Sequence, residues 1–499
     1  MITDIFSAIV VVFEFQNLLA IFIGVAFGIF MGAVPGLTAT MGIALVIPLT
    51  YNLDTITAFC ILLGAYKGSL YSGCIPAILI NTPGTPAAAA TVMDGFPLTQ
   101  KGRGSEAMGV ALWSSVIGDV ISTIVLIFGA VFLAKFATNF GPAEFATLVL
   151  FSLSIVASVS GNSLIKGLIA ASLGFLFGTV GLDPIHATPR FTFGSVNLMN
   201  GISIMAMLIG LFAVSELLVR SEDIGKKRSD TPLANRIRVT WQQIRALFPT
   251  IFRGSIIGTV LGAIPGLGAT PAAFLSYSEA KRNAKQPEEF GKGSLEGVAA
   301  CESANNATCG GALIPLMALG VPGDVTTAVL LGAFLIHGLA PGPMLFTDSI
   351  DLVYAIFIAL LTAALMLPLL GVIAIRLFSH ITRISPSILY PMIAILCVLG
   401  VYGFNSSVTD LWVMLFFGLL GYVMRKFEFP LAPMMIGFVL EPIGESSARQ
   451  ALTISSGDWS IFFSTPISVL FLVLTAASII LIGYRTIQSK RTSHSGSDK

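Results

Sequence analysis

Pairs of proline and glycine, flanked by small polar residues, recur within apolar stretches of the chain. Proline removes a helical hydrogen bond, and glycine permits a tight turn and close approach of a ligand to the backbone. Each pair is therefore predicted to break a helix. The helix that begins after a break presents free N–H groups and about half an elementary positive charge, which favours anions. The pairs are Pro35-Gly36, Pro83-Gly84, Pro265-Gly266 and Pro322-Gly323.

Threonine and asparagine surround these breaks. Free N–H groups together with hydroxyl and amide donors can bind carboxylates without a dedicated buried cation. A single pair would most simply be a packing kink, but four pairs with similar neighbours favour a binding site. The candidate substrate-binding residues at the breaks are Pro35, Gly36, Thr38, Thr40, Asn81, Thr82, Pro83, Gly84, Thr85, Pro265, Gly266, Thr270, Pro322 and Gly323.

Polar and ionisable residues within apolar segments form a second group of candidates, because they are costly in a membrane. Lys67 is assigned to the substrate site, although it could instead pair with an internal acid or extend to the lipid headgroups. Asn305 and Asn306 are further candidate substrate ligands. Asp324 could bind the coupling ion or cap a helix. The candidate coupling-ion residues are Glu302, Thr308, Asp324 and Thr326.

The composition indicates which elements must position these residues. Of 499 residues, 55% are hydrophobic and 11% are charged, whereas soluble domains carry about 25% charged residues. Helices satisfy their own backbone in lipid, so an all-α polytopic membrane protein is expected. The net charge of +1 predicts no nucleic-acid partner, and the scattered cysteines predict no metal site beyond Na⁺ and no cofactor.

The two halves of the chain resemble each other. GAVPGL at 32–37 returns as GAIPGL at 262–267, and Pro76 precedes Pro83 by the same spacing as Pro315 precedes Pro322. Ordered matches of this kind predict a duplication. The expected organisation is a first transmembrane repeat at 1–219, a basic cytoplasmic linker at 220–253, a second repeat at 254–484 and a cytoplasmic tail at 485–499.

Loop charges indicate how the halves are oriented. Basic residues favour the cytoplasmic side. Residues 50–56 contain no lysine or arginine, whereas the equivalent loop of the second half, 277–296, is basic. The reverse holds for the next pair of loops: the first half has Lys101 and Arg103, and its equivalent at 340–350 has neither lysine nor arginine. The pattern predicts inverted repeats whose broken or re-entrant helices meet near the membrane midplane.

The same residues carry a family resemblance. The repeated break motif, GAYKG at 64–68, NTPG at 81–84 and ESANNA at 302–307 resemble the large membrane subunit of tripartite tricarboxylate transporters of the TctA type. The resemblance implies a bacterial inner-membrane permease for di- or tricarboxylates, driven by a Na⁺ or H⁺ gradient. It also implies a small membrane subunit and a periplasmic substrate-binding protein as partners.

Two other function classes remain as alternatives. An anion channel would need no counter-gradient, and the sequence does not exclude one. An intramembrane aspartyl protease would use Gly-x-Gly-Asp, but Gly118-Asp119 and Gly323-Asp324 lack the first glycine. The chain is therefore not expected to be an enzyme, and a carrier is the favoured interpretation.

Overall fold

The computed structural model describes residues 2–34, 37–159, 163–183, 185–222, 239–381 and 386–494. Pro35 and Gly36, predicted as site residues, lie outside the described residues, as do 223–238 of the predicted linker and 495–499 of the predicted tail.

The first half consists of helices and one short hairpin. The hairpin strands are β1 (Gly181–Leu182) and β2 (Pro189–Arg190), paired antiparallel. A 3₁₀ turn covers Val196–Leu198, and a π-helical turn covers Ile209–Val214. The helices are α1 (Ile2–Val12), α2 (Phe15–Ala33), α3 (Ala39–Thr50), α4 (Thr55–Ser72), α5 (Cys74–Ile80), α6 (Ala88–Gln100), α7 (Gly104–Ala137), α8 (Pro142–Val159), α9 (Leu164–Gly178), α10 (Ile204–Leu208) and α11 (Ser215–Ser221).

The second half begins inside the interval predicted as a linker, with a helix whose first turn is closed by a reciprocal cap between Thr240 and Gln243. Short 3₁₀ turns cover Pro287–Glu289 and Trp459–Phe463. The helices are α12 (Trp241–Ala263), α13 (Ala269–Asn283), α14 (Leu295–Leu319), α15 (Val325–Ile336), α16 (Leu345–Asp348), α17 (Ile350–Ile381), α18 (Pro386–Asn405), α19 (Val408–Lys426), α20 (Leu431–Ile454) and α21 (Pro466–His494).

The chain is a multi-pass membrane protein. Within the described residues, eight segments are long and apolar enough to cross a membrane. A bilayer core of about 30 Å needs about 20 helical residues, and several other apolar helices are shorter than that. The eight are Phe15–Ala33, Thr55–Ile80, Gly104–Ala137, Ile204–Ser221, Trp241–Ala263, Ile350–Leu377, Ser387–Asn405 and Val408–Lys426.

Helices α2 and α3 form a hairpin. Glycines of α2 lie against α4 in steps of one turn, with Gly24 on Ile61, Gly28 on Ala65 and Gly32 on Ser69. α2 and α4 therefore run in the same direction, and α3 must return along them before α4 begins. The hairpin tip falls at the first predicted break, between Ala33 and Ala39.

Helices α12 and α13 form the corresponding hairpin in the second half. Gly258 of α12 lies on Ala304 of α14, and Gly262 lies on Thr308, so these two helices also run in the same direction. Helix α13, which lies between α12 and α14 in the chain, must therefore run in the opposite direction. The tip of this hairpin falls at the break containing Pro265. Both first breaks are thus hairpin tips rather than kinks in a crossing helix.

The second break of each half packs against the hairpin tip of its own half. A Cβ on Gly84 would collide with the carbonyl oxygen of Gly32 and lie 2.9 Å from Cα of Gly73. A Cβ on Gly323 would lie 2.5 Å from the carbonyl oxygen of Gly262. Only glycine permits such approach, which explains why these two positions carry no side chain.

Helix α14 lies at the centre of the fold and is buried from Gly297 to Ala318. It packs against α7, where Gly118 lies on Ser303 and Gly310 on Ser122. It ends at Gly320, whose left-handed backbone (φ 72°) is a favoured helix C-cap. Small residues at these crossings allow the backbones to approach closely, as is typical of membrane helices.

Candidate functional site

The breaks surround one cavity of about 630 Å³. Its wall contains the first residues of α3, α13 and α15, the segment 85–87 that leads directly into α6, and Asn305 of α14. Four helix starts therefore face the same space, and the partial positive charge of each is directed towards it. Of the predicted site residues, those lining the cavity are Thr38, Thr40, Thr85, Gly266, Thr270, Asn305, Asp324 and Thr326.

Helices α3 and α15 supply their own caps. The Thr38 hydroxyl accepts a hydrogen bond from the N–H of Met41 at 3.1 Å. Asp324 Oδ1 accepts from the N–H of Thr327 at 2.7 Å, and the Tyr66 hydroxyl donates to Asp324 Oδ2 at 3.1 Å. These bonds satisfy part of each helix end with protein groups, so both ends have less capacity left for a ligand.

The start of α13 and a hydroxyl in the segment before α6 offer more to a ligand. Helix α13 begins after Gly268, and no side-chain cap is found for it among the described residues, so its first N–H groups are available as donors. Before α6, Thr85 lines the cavity, and its side-chain oxygen is buried and has no hydrogen-bond partner in the described part of the chain. This side of the cavity is suited to a carboxylate.

Asn305 of α14 also lines the cavity. Its amide nitrogen donates to the carbonyl oxygen of Leu70 at 3.0 Å. Its amide oxygen is buried and has no partner within the described residues. A buried acceptor without a donor is costly, so this oxygen is suited to a cation or to a donor group on a ligand. Across the cavity, the hydroxyls of Thr40 and Thr326 are 3.2 Å apart and link α3 to α15.

Lys67 lies away from the cavity. It is fully buried, and its Nζ donates to Asp119 Oδ1 at 2.5 Å and to Thr123 Oγ1 at 3.1 Å. The structure thus pairs this lysine with an internal acid. It neither reaches the headgroups nor lines the predicted substrate site, because the neighbouring helix α7 supplies its partner.

The polar stripe of α14 divides between two directions. Asn305 faces the cavity, whereas Glu302 accepts hydrogen bonds from Thr91 and from Ser115 behind it. Asn306 donates to Ser115 at 2.8 Å, and Thr308 donates to the carbonyl oxygen of Asn305 at 2.6 Å. None of these three residues lines the cavity: Glu302 and Asn306 point towards α6 and α7, and the hydroxyl of Thr308 bonds its own helix.

The remaining predicted residues do not line the cavity; they shape the backbone at the breaks. Asn81 ends α5 in a left-handed conformation (φ 57°), and Asn81, Thr82 and Pro83 are exposed. Gly84 and Gly323 are the close-approach positions described above, next to Pro83 and Pro322. Pro265 is likewise outside the cavity wall. No group of three or more His, Cys, Asp or Glu side chains placed to hold a metal ion is found among the described residues.

Comparison with known proteins identifies the family. Residues 18–436 match the model of the tripartite tricarboxylate transporter TctA family. The chain belongs to this family. It is 34% identical over 95% of both chains to an uncharacterized 52.8 kDa protein in the TAR-I ttuC' 3' region of Agrobacterium vitis. It is also 38% identical to an uncharacterized protein in the TAR-II ttuC' 3' region of the same organism, over 47% of this chain and 97% of that one. No solved structure matches the chain.

Most of the cavity-lining residues of this TctA-family protein that the sequence analysis did not predict are apolar or small, but one is charged. Arg425 lies in the last turn of α19 and lines the cavity together with Phe429, from the loop before α20, and Leu431, the first residue of α20. A basic residue in the last turn of a helix is common for helix-dipole and interface reasons. Nothing in the local pattern distinguishes this arginine from those.

Proposed function

We propose that the chain is the permease subunit of an ion-gradient-driven carrier that takes up di- or tricarboxylates across the bacterial inner membrane. A periplasmic binding protein would deliver the substrate, and a small membrane subunit would complete the assembly. The family match supports the transport role. The observation that supports this substrate class is that the uncapped start of α13 and Thr85, whose hydroxyl has no partner among the described residues, line the same cavity.

The size and chemistry of the cavity support a small organic anion. Ligand sites commonly enclose about 300–1,000 Å³, and the cavity here has about 630 Å³. Helix N-termini bind carboxylates through N–H donors and the helix dipole. The acidic group in the wall, Asp324, is already bonded to its own helix and to Tyr66, which leaves the α6 and α13 side to the substrate.

We further propose that the halves are inverted repeats. Thr55–Ile80 forms one span, and its last part runs alongside α6 in the same direction, with Ile78 against Gly95. Helix α14 runs opposite to α6, since Thr91 lies beside Glu302 while Leu98 lies beside Gly293. Helix α14 is the counterpart of Thr55–Ile80 in the repeat, and the opposite directions support inversion.

Contacts between loops also support this arrangement. Lys101 donates to the carbonyl oxygen of Lys292 at 2.6 Å, which brings the two basic loops together. Thr50 lies 3.3 Å from His337 Nε2, which brings the two loops poor in lysine and arginine together. With basic loops inside, α6 and α13 lead to the cytoplasm, and α3 and α15 lead to the periplasm.

The transport cycle we propose is alternating access between these two helix pairs, with Na⁺ or H⁺ as the coupling ion. Asp324 and Thr326 line the cavity at α15, one of the two helices that lead to the periplasm. Asn305 lines the same cavity, and its unpartnered amide oxygen would be a further ligand. Glu302 and Thr308 lie on α14 behind the wall. They would act by adjusting that helix rather than by touching substrate.

Counterflow in proteoliposomes tests the proposal. Vesicles containing the permease, with its two partner subunits, are loaded with unlabelled citrate or succinate and diluted into a trace of the labelled compound. A carrier accumulates label transiently against its gradient, and an imposed Na⁺ or pH gradient identifies the coupling ion. Label that only equilibrates would favour an anion channel, and label converted to a new compound would favour an enzyme.

A matched pair of variants tests the location of the site. Thr85→Val removes the unpartnered hydroxyl of a residue in the cavity wall and should weaken the apparent affinity about 10- to 100-fold, the range expected for one hydrogen bond to a charged group. Thr82→Val changes an exposed hydroxyl that bonds the Ile80 carbonyl and should alter affinity less than about twofold. Equal losses in the two variants would place the site elsewhere.

A further inference from the structure

Arg425 is held at the cavity by an acidic side chain that it shares with a second arginine. Arg425 Nη1 lies 2.6 Å from Glu216 Oε2, and Arg220 Nε lies 2.8 Å from Glu216 Oε1. Glu216 is almost fully buried, with its side chain 3% exposed. Two guanidinium groups thus share one carboxylate, and this group of three side chains retains one net positive charge.

Arg425 is the member of this group that reaches the cavity. Arg220 and Glu216 do not line it, whereas Arg425 does. The Nε atom of Arg425 is buried and has no hydrogen-bond partner in the described part of the chain. An arginine with an unused donor and a neighbouring wall of apolar side chains is well suited to bind a carboxylate through two parallel bonds.

The helix that carries Glu216 is distorted where it meets the cavity. The π-helical turn Ile209–Val214 precedes the acid, and Phe212 of this turn forms part of the cavity wall. Such wide turns occur frequently at functional sites. The distorted turn therefore lies directly before the acid that pairs with Arg425.

We propose that Arg425 determines substrate specificity by binding the second carboxylate of a di- or tricarboxylate. The first carboxylate lies at the start of α13 beside Thr85, as the proposed function requires, and this inference rests on it. A monocarboxylate occupies the first position only and leaves Arg425 ion-paired with Glu216 alone. The preference for substrates with more than one carboxylate therefore arises at this residue.

A purely structural role makes a different prediction. In that case Arg425 would act only by joining α19 to α11 through Glu216. Arg220 bonds the same carboxylate at a similar distance but lies outside the cavity wall, so Arg220→Gln is a matched control. A structural role predicts similar effects for both arginine variants and no dependence on the number of carboxylates.

The experiment measures binding of three probes to the purified full-length protein in nanodiscs by competition with labelled citrate or, if needed, by calorimetry. Citrate and succinate carry three and two carboxylates, and butyrate has the four-carbon chain of succinate with one. Arg425→Gln should weaken citrate and succinate about 10- to 100-fold, as loss of a charge-assisted bond predicts. Butyrate should change less than about twofold, and Arg425→Lys should recover part of the loss.

The possible outcomes separate a failure of the Arg425 specificity role from a failure of the proposed transport function. Suppose that the wild-type protein binds citrate or succinate. If Arg425→Gln then weakens all three probes equally, or if Arg220→Gln causes an equal loss, the specificity role is overturned and the carboxylate site remains intact. Failure of the wild-type protein to bind citrate and succinate, also when its partner subunits are present, would overturn the proposed function and this inference with it.

Discussion

Replacing Lys67 with methionine should lower the free energy of unfolding by about 3–5 kcal/mol, the cost of leaving a buried charge without its partner. Lys67 and Asp119 are 0% and 1% exposed, and their charged atoms are 2.5 Å apart. Methionine has a similar length and fills the space, so the loss reflects the missing charge rather than a cavity. The remaining Asp119 carboxylate would stay buried without its counter-charge.

The double replacement Lys67→Met with Asp119→Leu should behave very differently. At 2.5 Å and an effective dielectric constant of about 20, the two charges attract by about 7 kcal/mol. Removing both ions from water costs several kcal/mol for each. The two terms nearly cancel, so the double variant should lie close to the wild-type stability or above it. A double-mutant cycle should therefore give a coupling energy of several kcal/mol.

Unfolding in dodecyl maltoside micelles with increasing SDS, followed by far-ultraviolet circular dichroism, measures these differences. Thr123→Val is the control, because it removes one bond to Lys67 (3.1 Å) but keeps the ion pair, and it should cost about 1 kcal/mol. A loss below about 1 kcal/mol in Lys67→Met, or a double variant as unstable as the single one, would show that the pair is not a buried, mutually dependent unit.

Two further substitutions test the packing around the site. Gly84→Ala should destabilise the protein by about 1–3 kcal/mol, because the added Cβ would collide with backbone of the first hairpin tip. Gly403→Ala is the control: its Cβ meets open space in α18, so it should be neutral or stabilising. Equal effects of the two substitutions on unfolding in SDS would contradict the close packing. Asp94→Ala should cost about 3 kcal/mol, because its Oδ1 accepts backbone N–H groups at the start of α14 at 2.8–2.9 Å. Asp94→Asn retains an acceptor and should lose less, as thermal unfolding can measure.

The sequence predicted the class of fold and the positions of the breaks, since both follow from local composition. Apolar content predicted membrane helices, and Pro-Gly pairs marked where helices end. It left open whether the first breaks were hairpins. That depends on which way α3 and α13 run, and the direction is set by packing against α4 and α14 through glycines such as Gly28 and Gly258, a contact with no local signal.

The candidate site was predicted in part for the same reason. Residues at the breaks such as Thr38, Thr85 and Asp324 do line one cavity, because helix starts meet there. Residues in mid-helix were harder to place. Lys67 and Glu302 looked like ligands by their cost in a membrane, but their direction depends on the rotation of α4 and α14, which turns both towards other helices. Arg425 was missed because it reaches the cavity only through the tertiary position of α19.

Differences between the two halves carry more information about function than their likeness. After the first break, Thr38 in one half corresponds to Gly268 in the other; after the second, Thr85 corresponds to Asp324. The hydroxyl of Thr38 and the carboxylate of Asp324 cap their own helices, and these two helices lie side by side. Gly268 offers no side chain, and Thr85 leaves its hydroxyl free. In the proposed repeat, the caps of α3 and α15 thus close one side, and the other side stays open to an anion, so that two similar halves could together hold an asymmetric substrate.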